Sequence, residues 1–282
     1  MTLQTRVLLD GLTFGEGPRW REDKLWFSDF YTRRVMTADL DGKVETVVEV
    51  PGVPSGLGWL PDGRLLIVAM TERRLLCLDG DKLVEVADLN ALATGHCNDM
   101  VVDSRGRAYI GHFGFDMFAG ADFAPASVIM VAPEGESRIV AEDMHFPNGA
   151  VITPDGSTLI VAESFARRLT AFDIEPDGSL SGRRIWAQLG ENEAPDGICL
   201  DAEGAVWVSV VSGNEVRRVR EGGEVTERVK VSTRAVACML GGPGRNTLFV
   251  MTAESSQPDV AMTKRTGRVE IVEVDVPGAG LP

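Results

Sequence analysis

The hydrophobic pattern has a short period and a long one. Apolar runs of a few residues alternate with turn sequences such as Pro61-Asp62-Gly63, Asp79-Gly80, Asp155-Gly156 and Asp177-Gly178. Runs of that length between such turns read as strands. No segment sustains a helical period. At the longer scale one motif returns six times, a turn followed by a four-residue apolar strand: Leu25-Trp26-Phe27-Ser28, Leu66-Ile67-Val68-Ala69, Ala108-Tyr109-Ile110-Gly111, Leu159-Ile160-Val161-Ala162, Val206-Trp207-Val208-Ser209 and Leu248-Phe249-Val250-Met251. The steps between copies are 41, 42, 51, 47 and 42 residues. Four-stranded propeller blades repeat at about 40–50 residues.

The expected fold is therefore all-β: one six-bladed β-propeller domain over residues 1–282, with four-stranded blades. In the second unit an inner strand near Gly56–Leu60 precedes strands at Arg64–Met70, Arg73–Leu78 and Leu83–Ala87. The last unit lacks a fourth strand, and Arg6-Val7-Leu8-Leu9 is spare at the start. That N-terminal strand is expected to close the ring and remove exposed sheet edges.

Composition narrows the partners. The net charge of -14 over 282 residues disfavours nucleic acid, which needs clustered Lys and Arg. The longest apolar runs are too short to cross a bilayer, so no membrane is expected. Met1–Asp10 has no apolar core of signal-peptide type. Four widely spaced cysteines read as free thiols, and a cytoplasmic protein is the default, as a monomer or weak homodimer acting on a small molecule.

The repeat also gives a register. About ten residues before each second strand, at the entry to the inner strand, stand Glu16, Ser55, Asn98, Asn148, Asp196 and Cys238. Four of these six are oxygen donors facing the axis. Converging carboxylates are costly without a neutralising partner. Carboxylates with amide carbonyls, and neither Cys nor His among them, suit one hard divalent cation: Ca²⁺ first, with Mg²⁺, Mn²⁺, Fe²⁺ or Zn²⁺ as alternatives. Pro61-Asp62-Gly63 and Pro154-Asp155-Gly156 sit at hairpin turns, whereas Asn148 and Asp196 sit at inner-strand entries.

The chain resembles the SMP-30/gluconolactonase/regucalcin-like family over nearly its whole length. The stretches that carry the resemblance are Gly15-Glu16-Gly17-Pro18, Asn98-Asp99, Pro147-Asn148-Gly149, Pro195-Asp196-Gly197 and Cys238-Met239-Leu240-Gly241-Gly242-Pro243. It implies a six-bladed propeller, a divalent metal and lactone hydrolysis. It implies Glu16, Asn148 and Asp196 as direct ligands, Asn98 as a ligand directly or through water or substrate, and Asp196 as the catalytic base. His96 stands where sugar-lactonase members often carry Arg, which points away from a sugar-acid lactone.

Further candidates follow from the register. Second strands should end on the same face, which adds His112 and Glu163 to His96 and Ser55 as substrate-binding candidates. The loop from His112 to Pro125 carries Phe113, Phe115, Phe118 and Phe123. Its aromatic content suggests a substrate less polar than a sugar acid, with Phe113 and Phe115 as contacts. The leading expectation is a metal-dependent hydrolase that opens a lactone. The alternatives are phosphotriester hydrolysis on the same metal and a non-catalytic, metal-stabilised propeller that binds a ligand.

Overall fold

In the computed structural model, which describes residues 2–280, six antiparallel four-stranded sheets form a ring. The inner strands are Gly15–Arg21, Pro54–Trp59, Cys97–Val102, Pro147–Ile152, Pro195–Leu200 and Arg234–Gly241. Each packs against the next, and the sixth against the first, so the ring closes around a central channel. All six apolar motifs lie in the second strands, whose alternate side chains fill the spaces between neighbouring blades. That double-sided burial is why these runs are apolar throughout rather than alternating.

Closure takes the expected route with one addition. Arg6–Leu12 pairs antiparallel with Gly267–Glu273 as the outer strand of blade six. The preceding Thr2–Gln4 runs parallel to Val225–Lys230, the outer strand of blade five. The N-terminus thus bridges two blades.

One element departs from the all-strand reading. Pro258–Lys264, in the long connection of blade six, is a seven-residue α-helix with proline in its first turn. At two turns it is too short to show a period in sequence. Among the described residues no helix is long and apolar enough to cross a membrane. The four cysteines are free and buried.

Candidate functional site

Every inner strand carries one extra residue opposite its second strand. The register slips between Glu16 and Arg19, Pro54 and Leu57, Cys97 and Met100, Pro147 and Ala150, Pro195 and Ile198, and Ala235 and Ala237. A β-bulge re-aims the side chain beside it. The residues at the slips are Glu16, Ser55, Asn98, Asn148, Asp196 and Val236. A Cβ on Gly17, Gly56, Gly149 or Gly197 would stand 2.4–2.7 Å from an atom of the neighbouring inner strand. The glycine after four of the six bulges therefore lets the strands converge tightly at the axis.

The sixth position is Val236, not Cys238. Cys238 pairs with Val250 beyond the slip, and its Sγ packs 3.8 Å from that of Cys199 in the core. The blade-six hairpin reaches one pair further from the site, Gly241 with Thr247, than the blade-three hairpin, Val102 with Ala108. A count made from the turn therefore falls two residues short.

Glu16, Asn98, Asn148 and Asp196 all line one cavity of about 210 Å³ at the channel mouth. Burial, then the Asp196 and Asp99 charges, raise the Glu16 carboxyl well above its usual range. Burial, then Asp99, push Asp196 up to about 8, against a hydrogen bond from Asn148 that lowers it. No Lys or Arg lines the cavity among the described residues. Asn98 Nδ2 donates to Pro147 O at 3.3 Å, and Asn148 Nδ2 to Ser164 Oγ at 3.3 Å. Ser164 Oγ donates in turn to Pro195 O at 2.6 Å, tying blade four to blade five beside Asp196. The two amides thus have their nitrogens tied to protein, while their carbonyl oxygens accept nothing among the described residues. Two uncompensated carboxylates and two free amide oxygens fit a hard divalent cation.

The cavity wall is aromatic. Phe14, Phe30, Tyr31, Phe113, Phe118, Phe146 and Phe165 line it, with Met117 and Val211. Phe113 stacks on Phe146 at 4.5 Å between ring centres, and Phe146 on Phe165 at 4.9 Å. Phe146 holds φ at 60°, a left-handed conformation that costs a non-glycine residue about 1–3 kcal/mol. Phe115 packs behind this wall on Phe146 and Phe165 instead of lining the cavity.

The other candidates are placed elsewhere. His96 lies against Phe113 and Phe118, half-buried behind the wall, and burial lowers its pKa. Ser55 is buried at its bulge and does not line the cavity. His112 and Glu163 end their second strands but turn away from the cavity. His112 faces the Gly114 and Ser127 amides at 3.1 and 3.0 Å, and burial lowers its pKa to about 4. Glu163 accepts from His145 N at 2.7 Å and Arg168 Nε at 2.8 Å, and from the Thr170 hydroxyl. Asp29 does the same work in blade one, accepting from Thr13 N at 3.0 Å and Phe14 N at 2.9 Å. These strand-end acids anchor the segments that lead into the bulges.

The residues around the four oxygen donors follow the same register. Phe14, Phe146 and Ala194, like His96 behind the wall, each stand two residues before a bulge residue. Phe30, Phe113, Ser164 and Val211 each follow a second strand's last residue and donate to that ring: Phe30 N to Phe14 O at 3.0 Å, Phe113 N to His96 O at 2.9 Å, Ser164 N to Phe146 O at 3.1 Å and Val211 N to Ala194 O at 3.2 Å. Phe30, Phe113, Ser164 and Val211 thus sit one residue past the strand ends that include His112 and Glu163.

Fold and site together define a six-bladed propeller whose axial oxygen donors, Glu16, Asn98, Asn148 and Asp196, line one aromatic-walled cavity. The sequence profile of the SMP-30/Gluconolactonase/LRE-like region matches residues 14–254, and the chain belongs to that family. It is 28% identical to regucalcin of Danio rerio over 187 residues, 65% of this chain and 63% of that protein. It is 27% identical to a pentonolactonase of Haloferax volcanii over 88% of this chain and 84% of that one. A solved structure of a calcium-binding regucalcin of Agrobacterium tumefaciens superposes with a TM-score of 0.84 at 23% identity, covering 100% of this chain and 98% of that one.

Proposed function

We propose that the protein is a divalent-metal-dependent lactonase whose substrate is less polar than a sugar-acid lactone. The observation that carries this is the set of bulges that aims Glu16, Asn98, Asn148 and Asp196 into one cavity without a cationic side chain, in a member of a family whose relatives include a pentonolactonase. Those four residues would hold the ion, with Ca²⁺ favoured by the donor set. When bound, a divalent cation supplies a Lewis acid that polarises a carbonyl oxygen and stabilises negative charge on it.

This chain's residues do the rest. Asp196 accepts a proton from water as the water oxygen bonds to the carbonyl carbon; the ring C–O bond then breaks, and the released oxygen takes the proton back. The product is a hydroxy acid. The Asn148–Ser164–Pro195 hydrogen bonds hold Asp196 at its bulge. Phe113, Phe118, Phe146 and Phe165 exclude bulk water and bind the apolar part of the substrate.

The wall also supports the substrate's polarity. Tyr31 Oη already donates to Ser256 O, and Ser164 Oγ to Pro195 O. Sugar hydroxyls would meet few free partners, and each unmatched one costs about 1–3 kcal/mol. The four free cysteines suit a reducing, cytoplasmic compartment, and no partner beyond the small molecule is required.

The test is turnover of aliphatic, aromatic and sugar lactones by the purified chain with Ca²⁺, Mg²⁺, Mn²⁺ and Zn²⁺ in turn. Hydrolysis that is lost on chelation, restored by one of these ions, and faster on apolar than on sugar lactones is expected. A chain that binds the metal yet opens no lactone sinks the reading.

A further inference from the structure

The stacked wall is more specific than a greasy surface. Phe113, Phe146 and Phe165 form a continuous run of near-parallel rings, with interplanar angles of 24° and 11°. Phe146 is the middle ring, covered by a neighbour on each side, while Phe165 ends the run on the turn after the blade-four second strand and keeps 47% of its surface exposed. Phe118, 38% exposed, leans on Phe113 with centroids 6.2 Å apart. Two part-exposed aromatic rings, Phe165 packed also by Phe115 and Phe123 and Phe118 by His96, thus border the cavity that Glu16, Asn98, Asn148 and Asp196 line. A branched aliphatic group covers a flat ring poorly, whereas another ring stacks on it or meets it edge-on with added stabilisation.

Size and charge narrow the guest. A cavity of about 150 Å³ holds one benzene molecule. At about 210 Å³ this one has room for a single aromatic ring with a few further heavy atoms at the Asp196 end. With no Lys or Arg in the lining, a substrate carboxylate or phosphate would find no cationic side chain.

We infer that the substrate class is an uncharged lactone bearing one aromatic ring, fused or as a phenyl substituent, and that Phe165 is the residue that selects the ring. This rests on the lactonase reading for the bond broken, but not for the ring bound. The ring lies against Phe165 and Phe118, and the lactone carbonyl points to Glu16, Asn98, Asn148 and Asp196. Phe165 touches no reacting atom; it acts on which substrate is held.

The experiment uses the metal-loaded full chain. One arm compares kcat/KM for γ-phenyl-γ-butyrolactone with its cyclohexyl counterpart and with glucono-δ-lactone. The other measures binding of the benzo-fused δ-lactam, which is not hydrolysed, by calorimetry. Wild type should prefer phenyl over cyclohexyl, and both over the sugar lactone. Phe165→Leu keeps apolar bulk but removes the flat face. It should cut the phenyl-over-cyclohexyl ratio and the lactam affinity about three- to tenfold. Phe165→Tyr, which keeps the ring, should restore both. A cyclohexyl lactone that matches or beats the phenyl one overturns the inference, as does lactam binding indifferent to Phe165→Leu. If no lactone is opened but the lactam still binds in a Phe165-dependent way, the reaction is wrong and the aromatic subsite stands.

Discussion

The channel mouth and the layer just behind it treat buried charge in opposite ways. At the mouth, Glu16 and Asp196 converge with two amide oxygens and no cationic side chain among the lining residues. One residue beyond Asn98, Asp99 takes the place of the post-bulge glycine, and its carboxylate meets Arg19 at 2.8 Å. Arg19 is satisfied further by Met100 O at 2.5 Å and Pro18 O at 2.9 Å. The same strands supply both layers, so backbone geometry does not explain the contrast. One layer closes its own charge balance, and the other leaves its two carboxylates without a cationic side chain. Buried charge is stable only when paired or coordinated, so the inner layer should govern folding and the mouth should govern function.

The sharpest way to break this contrast is at Asp196. Asp196→Ala removes a base and a ligand together, and kcat/KM on a lactone should fall by about 10⁴-fold or more, about 5.5 kcal/mol. Its melting temperature with the metal removed should stay close to that of the similarly stripped wild type, because no salt bridge is lost. A stability loss as large as the activity loss would make Asp196 a structural residue.

Arg19 should behave the other way. Arg19→Met strands Asp99 as an unpaired buried charge and should cost about 3–5 kcal/mol of unfolding free energy in denaturant melts. The double variant Arg19→Met, Asp99→Leu should recover much of it, since removing both charges spares the desolvation cost. If the single variant is as stable as wild type, the inner pair is not the structural unit described here.

The contrast was only half legible in the amino-acid order. The mouth could be read because the repeat puts Glu16, Asn98, Asn148 and Asp196 in phase and the Pro-Asn-Gly and Pro-Asp-Gly triplets mark the bulges. Blades and ring closure were readable for the same reason: each is a local apolar strand between turns. The Arg19–Asp99 pair was hidden, because its partners are 80 residues apart on different blades. Glu163 and His112 end second strands, and no local signal in the sequence tells whether a strand end points inward. Their side chains instead reach the preceding or following backbone, and the residue after each turns in. Val236 was missed because a hairpin one pair longer shifts the count.

A bound cation should reveal the open layer as a stability gain. With free ion at 100 times its dissociation constant, linkage predicts about 2.7 kcal/mol, or about 5 °C in melting temperature for a chain of this size. Glu16→Gln should abolish most of that gain in calorimetric scans with and without chelator, while Arg19→Met should lower both scans and keep their difference. An equal gain in Glu16→Gln would place the ion elsewhere.

The smallest effect tests whether His112 belongs with the closed layer. Its ring is buried, so the folded state holds it neutral, with a pKa lowered to about 4 from an ordinary 6.5. The unfolded chain therefore binds more protons between those values, and stability contributed by this group is whole above pH 6.5 and falls as pH drops toward 4. From pH 7 to pH 5 the loss is about 2 kcal/mol. His112→Gln has no proton to take up, so wild type should lose about 2 kcal/mol more than the variant over that interval in denaturant melts at the two pH values. The comparison of slopes is insensitive to whatever the substitution costs at neutral pH. A cavity residue acting on substrate would instead leave the two stability slopes parallel and move the pH profile of turnover, which would return His112 to the channel mouth.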